Sequence, residues 1–255
     1  GSKSIVNKCF KMICEILPIS NKNFRSTISV EKLSVALQCG GSDSYSGITA
    51  NPALGYASDL LIANGGSTIL AETPEIYGAE HLLKERVIEN LVKEKLEKHI
   101  TWWENYTKIN GSSMDNNPAP GNKKGGITTI LEKSLGAVAK GGKSPLVDVI
   151  DYGESIQKKG FNFMNSPGYD PVSVTGQVAA GANIICFTTG RGSCFGYKPV
   201  PSIKIATNTN MYNRMEEDMD INSGTIMDGI ESIEENGIKI YNNIIAVASG
   251  KKSKS

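Results

Sequence analysis

The sequence predicts an α/β fold: a largely parallel sheet flanked by helices. Short apolar runs of strand length alternate with longer stretches of helical spacing. The clearest of these runs end abruptly in polar, glycine-rich turns. The helical stretches are bracketed by residues that favour helix starts and stops.

Residues 1–32 are weakly patterned and read as a lead-in segment. Its first two residues, Gly1-Ser2, resemble a cloning scar, which suggests a piece excised from something longer. Leu33–Gln38 (LSVALQ) reads as a buried strand that stops at Cys39-Gly40-Gly41-Ser42-Asp43. A helix fits Pro52–Asn64, with Asn51 as cap, Pro52 in the first turn and Gly65 as stop. Ser67–Ala71 (STILA) is a second strand and delivers Glu72 and Glu75 into a loop. One long helix fits Ala79–Ile109, from the spacing of Leu82, Leu83, Val87, Leu91, Leu96 and Ile100. Residues 110–126 read as a loop, and Thr128–Ala139 as a helix. Val147–Ile150 is a strand candidate. Asp170–Ala180 suits a helix capped by Asp170, with Pro171 at its first position. Asn183–Phe187 (NIICF) and Ile203–Ala206 (IKIA) are two further strands, and a last helix runs from about Glu231 to Ala248. No internal repeat or linker divides residues 33–250, which read as one domain. Residues 251–255 form a basic, solvated tail.

Composition narrows the function classes. The chain has 255 residues, 39% hydrophobic and 21% charged, enough for a sizeable core. Lys plus Arg is 27 and Asp plus Glu is 26, so the net charge is +1 and no bulk field favours nucleic acid or an anionic membrane. No apolar run reaches the roughly 20 residues of a membrane span. Five cysteines without a CxxC pair point to a reduced, cytoplasmic compartment. No HExxH, Walker loop or GxGxxG is present. His81 and His99 read as ordinary helix residues, and Trp102, Trp103 and Tyr106 as helix packing.

In open α/β sheets, ligands bind beyond the carboxyl ends of the strands. Cys39–Asp43, Glu72, Thr188–Gly192 and Asn208 all stand at such ends, which predicts a shared polar site. The alternative is that these are simply the polar turns every α/β protein has. Thr188-Thr189-Gly190-Arg191-Gly192 suits an anion: glycines let backbone amides approach, and a guanidinium grips a carboxylate with two parallel bonds. Pro120-Gly121-Asn122-Lys123-Lys124 could bind an anion at a helix start, or either lysine could act as a base if desolvated. A plain exposed basic loop fits equally. Asp43, Glu72, Glu75, Asp218 and Asp220 are candidate oxygen ligands for a hard divalent cation. Cys39, beside a glycine pair, is the cysteine most suited to metal binding or redox sensitivity, although a small core residue is its plainer role.

Six ordered motifs together resemble the carboxy-terminal region of the altronate/galactarate dehydratase family. They are Cys39–Pro52, Glu72–Glu80, Asn117–Thr129, Glu132–Gly136, Phe187–Gly192 with Ile203–Thr207, and Met219–Gly224. Within this set, Glu72–Glu80 resembles the altronate branch. Ser193-Cys194 departs from the family's Thr-Pro. The resemblance implies a family-specific fold over residues 33–250 and a hydro-lyase of hexuronate catabolism. Such an enzyme dehydrates D-altronate to 2-dehydro-3-deoxy-D-gluconate; galactarate or a sulfonated hydroxy acid is the alternative substrate, and a non-catalytic binding fragment the alternative role. It implies a divalent metal, iron(II) or manganese(II), with Asp43, Glu72 and Asp220 as ligand candidates. On this reading Arg191, with the amides near Gly190 and Gly192, takes the substrate carboxylate. Lys123 or Lys124 is base or oxyanion clamp. Ser42, Ser44, Asn122, Thr188, Thr189 and Asn208 meet sugar hydroxyls. The resemblance further implies an amino-terminal β-rich domain and a middle segment that are absent here and that complete the site, and it leaves a homo-oligomer open.

Overall fold

The computed structural model describes residues 1–115 and 117–254; Asn116, within the predicted loop, and Ser255, at the end of the predicted tail, lie outside the described residues. In chain order the elements are α1 (Ser2–Ser20), β1 (Ser34–Cys39), α2 (Ala50–Ala63), β2 (Ser67–Leu70), α3 (His81–Lys84), α4 (Asn90–Ile109), α5 (Pro120–Lys124) and α6 (Ile130–Ala139). They continue with β3 (Leu146–Ile150), β4 (Phe161–Met164), α7 (Asp170–Ala179), β5 (Ile184–Thr189), β6 (Ser202–Ala206), α8 (Thr209–Arg214), β7 (Ile221–Asn222) and α9 (Ile233–Ala248).

The strands form one seven-stranded sheet in the order β3-β4-β2-β1-β5-β6-β7. Every pairing is parallel, as the alternation of strands and helices predicts. Both faces are covered, which is why the strands read as continuous apolar runs. Val35, Leu37, Leu70, Phe161, Phe163, Ile184, Cys186, Ile203 and Ile205 face a large core that includes residues of α2, α4 and α9. Ala36, Ile69, Met164, Ile185 and Phe187 face a smaller one with Val174 of α7.

Several expectations change. The predicted helix over Ala79–Ile109 is broken between α3 and α4. There Val87 bridges Leu146, the Leu146 N–H donates to the Arg86 carbonyl, and Ile88 N–H donates to the Leu146 carbonyl. Pairing with the sheet edge outcompetes helical continuity. The loop over 110–126 contains the short helix α5. Helix α2 begins at Ala50 with Thr49 as cap, and Asp170 is the first residue of α7, whose cap is Tyr169. Strands β4 and β7 were not predicted. The lead-in segment holds the helix α1, which buries none of its residues. No helix among the described residues is long and apolar enough to cross a membrane.

Candidate active site

Because all seven strands run the same way, their carboxyl ends share one edge. β1 lies at the centre, between β2 and β5, so the turns after β1 and β5 flank the place where strand order reverses. Open sheets bind ligands at such a point. The two turns are joined directly: the N–H groups of Gly190 and Arg191 donate to the Gly41 carbonyl at 3.1 and 3.0 Å. Gly41 has φ +63°, which suits glycine.

Asp43 is the knot of the site. It is buried, and its carboxylate accepts from Ser46 N and Oγ (3.0 and 2.9 Å), Thr207 Oγ1 (2.9 and 3.0 Å) and Asn208 Nδ2 (2.9 Å). This ties the turn after β1 to the turn after β6. Gly190 must lack a side chain here, since a Cβ would lie 2.1 Å from Asp43 Cγ. The segment around α5 closes over the same place. Ser44 N–H donates to the Gly125 carbonyl (2.9 Å), and Asn122 Nδ2 donates to the Ser42 carbonyl (3.0 Å). The Arg191 guanidinium packs over Gly121, where a Cβ would come within 2.4 Å of it. A cavity of about 250 Å³ opens beside this knot, lined by Cys39, Ser42, Asp43, Ser44, Lys133 and Gly136 among others.

The structure therefore gathers Ser42, Asp43, Ser44, Asn122, Thr189, Gly190, Arg191, Gly192 and Asn208, but it commits most of their polar groups to one another. Gly192 N–H donates to Thr189 Oγ1, and Thr188 Oγ1 donates to Asn51 Oδ1. Asn208 Nδ2 also donates to the Gly190 carbonyl, while its Oδ1 caps α8 at Met211 N–H. Asn122 Oδ1 accepts from Ala119 N–H. The amides of Gly190 and Gly192, expected to meet a carboxylate, are turned inward. Among the described residues no hydrogen bond or ion pair engages the Arg191 guanidinium, which is exposed and stays available to an anion. Lys123 and Lys124 are exposed at the rim, without the burial that a lysine base requires.

Asp220 is not brought to this group. It precedes β7, where its carboxylate accepts from the backbone N–H groups of Lys204 (2.8 Å) and Lys254 (2.9 Å). Asp218 is exposed. Asp43, Glu72 and Asp220 thus do not converge as one ligand set. Asp43 and Asp220 spend oxygens on internal donors, so these three residues do not fit the single divalent metal that the resemblance implies.

Glu72 belongs to a second, buried cluster, in which Glu75 and Cys39 are also sequence candidates but Lys133, Lys140 and Asp170 are not. It follows β2 with φ 73°, and among the described residues it is the one non-glycine residue in the left-handed region. Such backbone costs about 1–3 kcal/mol and persists where surroundings enforce it. Glu72 lies in the field of Glu75, Lys140 and Asp170. Glu75 pairs with Lys133 at 2.8 Å and accepts from Asn117 Nδ2 at 3.0 Å; Lys133 also donates to Asn117 Oδ1 at 2.8 Å. Lys140 Nζ donates to Cys39 Sγ at 2.8 Å, and Gln38 Nε2 donates to Asp170 Oδ1 at 3.2 Å. Cys39 and Lys133 connect this cluster to the cavity wall. A lysine beside Gly141-Gly142 at a helix end reads in sequence as a solvated dipole partner. Only packing reveals that Lys140 is 1% exposed.

Acids outnumber bases in this cluster, and it holds protons tightly. Burial, then Glu75, push the Glu72 carboxyl well above its ordinary range, against the pull of Lys140. Burial raises Asp170 and the Cys39 thiol as well. Burial works to strip Lys140 of its proton, and the charge of Cys39 and Glu72, where these are ionised, outweighs it and holds the ammonium above the usual lysine range. A carboxyl raised on folding binds its proton longer in the folded state. Its contribution is present at low pH and is lost as pH climbs from the ordinary value of 4.5 towards the raised one. Glu72→Gln should therefore stabilise the chain more at about pH 8 than at about pH 5 and flatten the slope between them. Urea unfolding at both pH values checks this, and an unchanged slope would clear Glu72 of the effect.

Comparison with known proteins adds a separate finding. The family model described as D-galactarate/Altronate dehydratase, C-terminal, matches residues 30–255. The chain is 44% identical over 252 residues to galactarate dehydratase (L-threo-forming) of Escherichia coli (strain K12), covering 99% of this chain and 48% of that relative. It is 41% identical to altronate dehydratase of Bacillus subtilis (strain 168), over 94% of this chain and 48% of that one. It is also 30% identical to the (2R)-sulfolactate sulfo-lyase subunit beta of Chromohalobacter salexigens, over 98% of this chain and 65% of that relative. The chain spans about half the length of the dehydratases it matches.

Proposed function

The chain belongs to the D-galactarate/altronate dehydratase family through its C-terminal region, and on that premise we propose that it supplies the carboxylate-binding part of a hydro-lyase acting on a six-carbon sugar acid. One observation carries this reading: the turns after β1, β5 and β6 and the segment around α5 meet at a single knot, with the uncommitted Arg191 guanidinium over Gly121. Dehydration removes the proton next to a carboxylate and expels the neighbouring hydroxyl. That proton becomes acidic only when the carboxylate charge is stabilised, which a positioned guanidinium does. Arg191 takes the carboxylate, and the Ser42 and Ser44 hydroxyls meet sugar hydroxyls. Proton transfer falls to the buried acid and lysine groups behind the cavity rather than to Lys123 or Lys124.

D-altronate, giving 2-dehydro-3-deoxy-D-gluconate, is the first reading, supported by the Glu72–Glu80 motif. Galactarate is the second, favoured by the 44% identity to a galactarate dehydratase. A cytoplasmic setting belongs to the same proposal, supported by five free cysteines. The test is incubation of the protein with each acid, with manganese(II) or iron(II) added and again without. Calorimetry follows binding, and a carbonyl-specific assay follows the keto acid. Binding of one six-carbon acid is the expected result, with keto acid formed where the rest of the hydro-lyase is present; heat-silent titrations with every acid, with and without metal, would overturn the reading.

A further inference from the structure

The Lys140 ammonium carries three N–H donors, the residue is 1% exposed, and among the described residues the ammonium's single hydrogen bond is to Cys39 Sγ, at 2.8 Å. Buried ammonium groups ordinarily meet several oxygen acceptors, and a sulfur is a weak one. Glu72 and Glu75 act on Lys140 through their charge, without bonding to it. The nitrogen and sulfur are thus pressed together where neither has a better partner, at a separation that one bridging oxygen spans. Cys39 also lines the cavity of about 250 Å³, through which a small oxidant reaches it. The other cysteines differ: Cys9, Cys14 and Cys194 are exposed, and Cys186 is buried with no lysine bonded to it among the described residues.

We propose that Cys39 and Lys140 are a redox modification site, at which hydrogen peroxide joins the two side chains through a single oxygen in a reversible sulfur–oxygen–nitrogen bridge. The first peroxide converts the thiol to a sulfenic acid and is reduced to water. Lys140 gives up its extra proton to water. A second peroxide then takes one hydrogen from the sulfenic hydroxyl and one from the amine, and the oxygen–nitrogen bond forms with release of two waters. Overall one thiol, one amine and two peroxides give the bridge and three waters. Two equivalents of a dithiol return the thiol, the amine and one water. The bridge ties the end of β1 to the end of α6 and removes the ammonium that faces Glu72, so it reaches the cavity wall directly.

The experiment needs no enzymatic activity, so its outcome is independent of the proposed reaction. The folded chain is treated with hydrogen peroxide, denatured, alkylated and digested with trypsin, and its peptides are weighed. The expected product is a pair of peptides containing Cys39 and Lys140, heavier than their sum by one oxygen less two hydrogens. It is uncleaved after Lys140 and lost on treatment with dithiothreitol. In Lys140→Arg, which keeps the charge but has no primary amine, the linked pair should vanish while Cys39 still oxidises. Peroxide that oxidises the exposed Cys194 but leaves Cys39 as a free thiol or a sulfinic acid, with normal cleavage at Lys140, overturns the proposal. Persistence of the link in Lys140→Arg does so too, and the wild-type result decides the matter if that variant does not fold.

Discussion

Asp43→Ala is expected to lower the unfolding free energy by about 3 kcal/mol or more, because it leaves several buried donors without an acceptor. The carboxylate accepts from Ser46, Thr207 and Asn208, which belong to turns separated by more than 160 residues of chain. Asn208 keeps its bond to the Gly190 carbonyl, so its loss is partial. Among the described residues Ser46 and Thr207 have no such second acceptor for their hydroxyls. The measurement is urea denaturation, read as a fall in midpoint at constant slope. A loss below about 1 kcal/mol, the worth of one ordinary hydrogen bond, would mean that something other than this knot holds the turns together.

Arg191→Ala should behave in the opposite way. The guanidinium is exposed and unbonded among the described residues, so its removal should leave stability within about 0.5 kcal/mol. Its loss should instead weaken the sugar acid, since hydrogen bonds to charged groups contribute about 1.5–3 kcal/mol, roughly tenfold to a hundredfold in affinity. Calorimetric titration of the chain with altronate and galactarate, wild type against variant, measures it. Affinity unchanged within about twofold would take Arg191 out of the site, since that is well below one charged hydrogen bond. The pair separates scaffold from binding: Asp43 carries the fold of the turns, and Arg191 carries the charge they present.

Several features of this molecule were legible in the sequence. The runs that became β1, β2 and β5 are apolar enough to be buried on both faces, β6 is apolar except for Lys204, and each ends in a recognisable turn. β4 escaped notice because Asn162 interrupts FNFM; the structure buries that amide and bonds it to the Gly160 carbonyl at 3.0 Å. β7 is two residues long, below what a pattern can carry. The break between α3 and α4 depends on Leu146, nearly 60 residues beyond Val87, and helical spacing alone does not record such a competitor. Lys123 and Lys124 stood out as the basic motif, whereas the lysines that the structure places against the buried acids and Cys39 are Lys133 and Lys140.

The sequence by itself determined that the strands run parallel and that their polar turns share one edge, because alternating strands and helices with covered faces admit that arrangement readily. Tertiary structure alone decided which groups on that edge remain available. Hydrogen bonds are satisfied between residues far apart in the chain, as Asp43 is with Thr207 and Cys39 with Lys140, separated by 164 and 101 positions. A local motif names a donor or an acceptor but not its partner, and a buried group's chemistry follows from the partner.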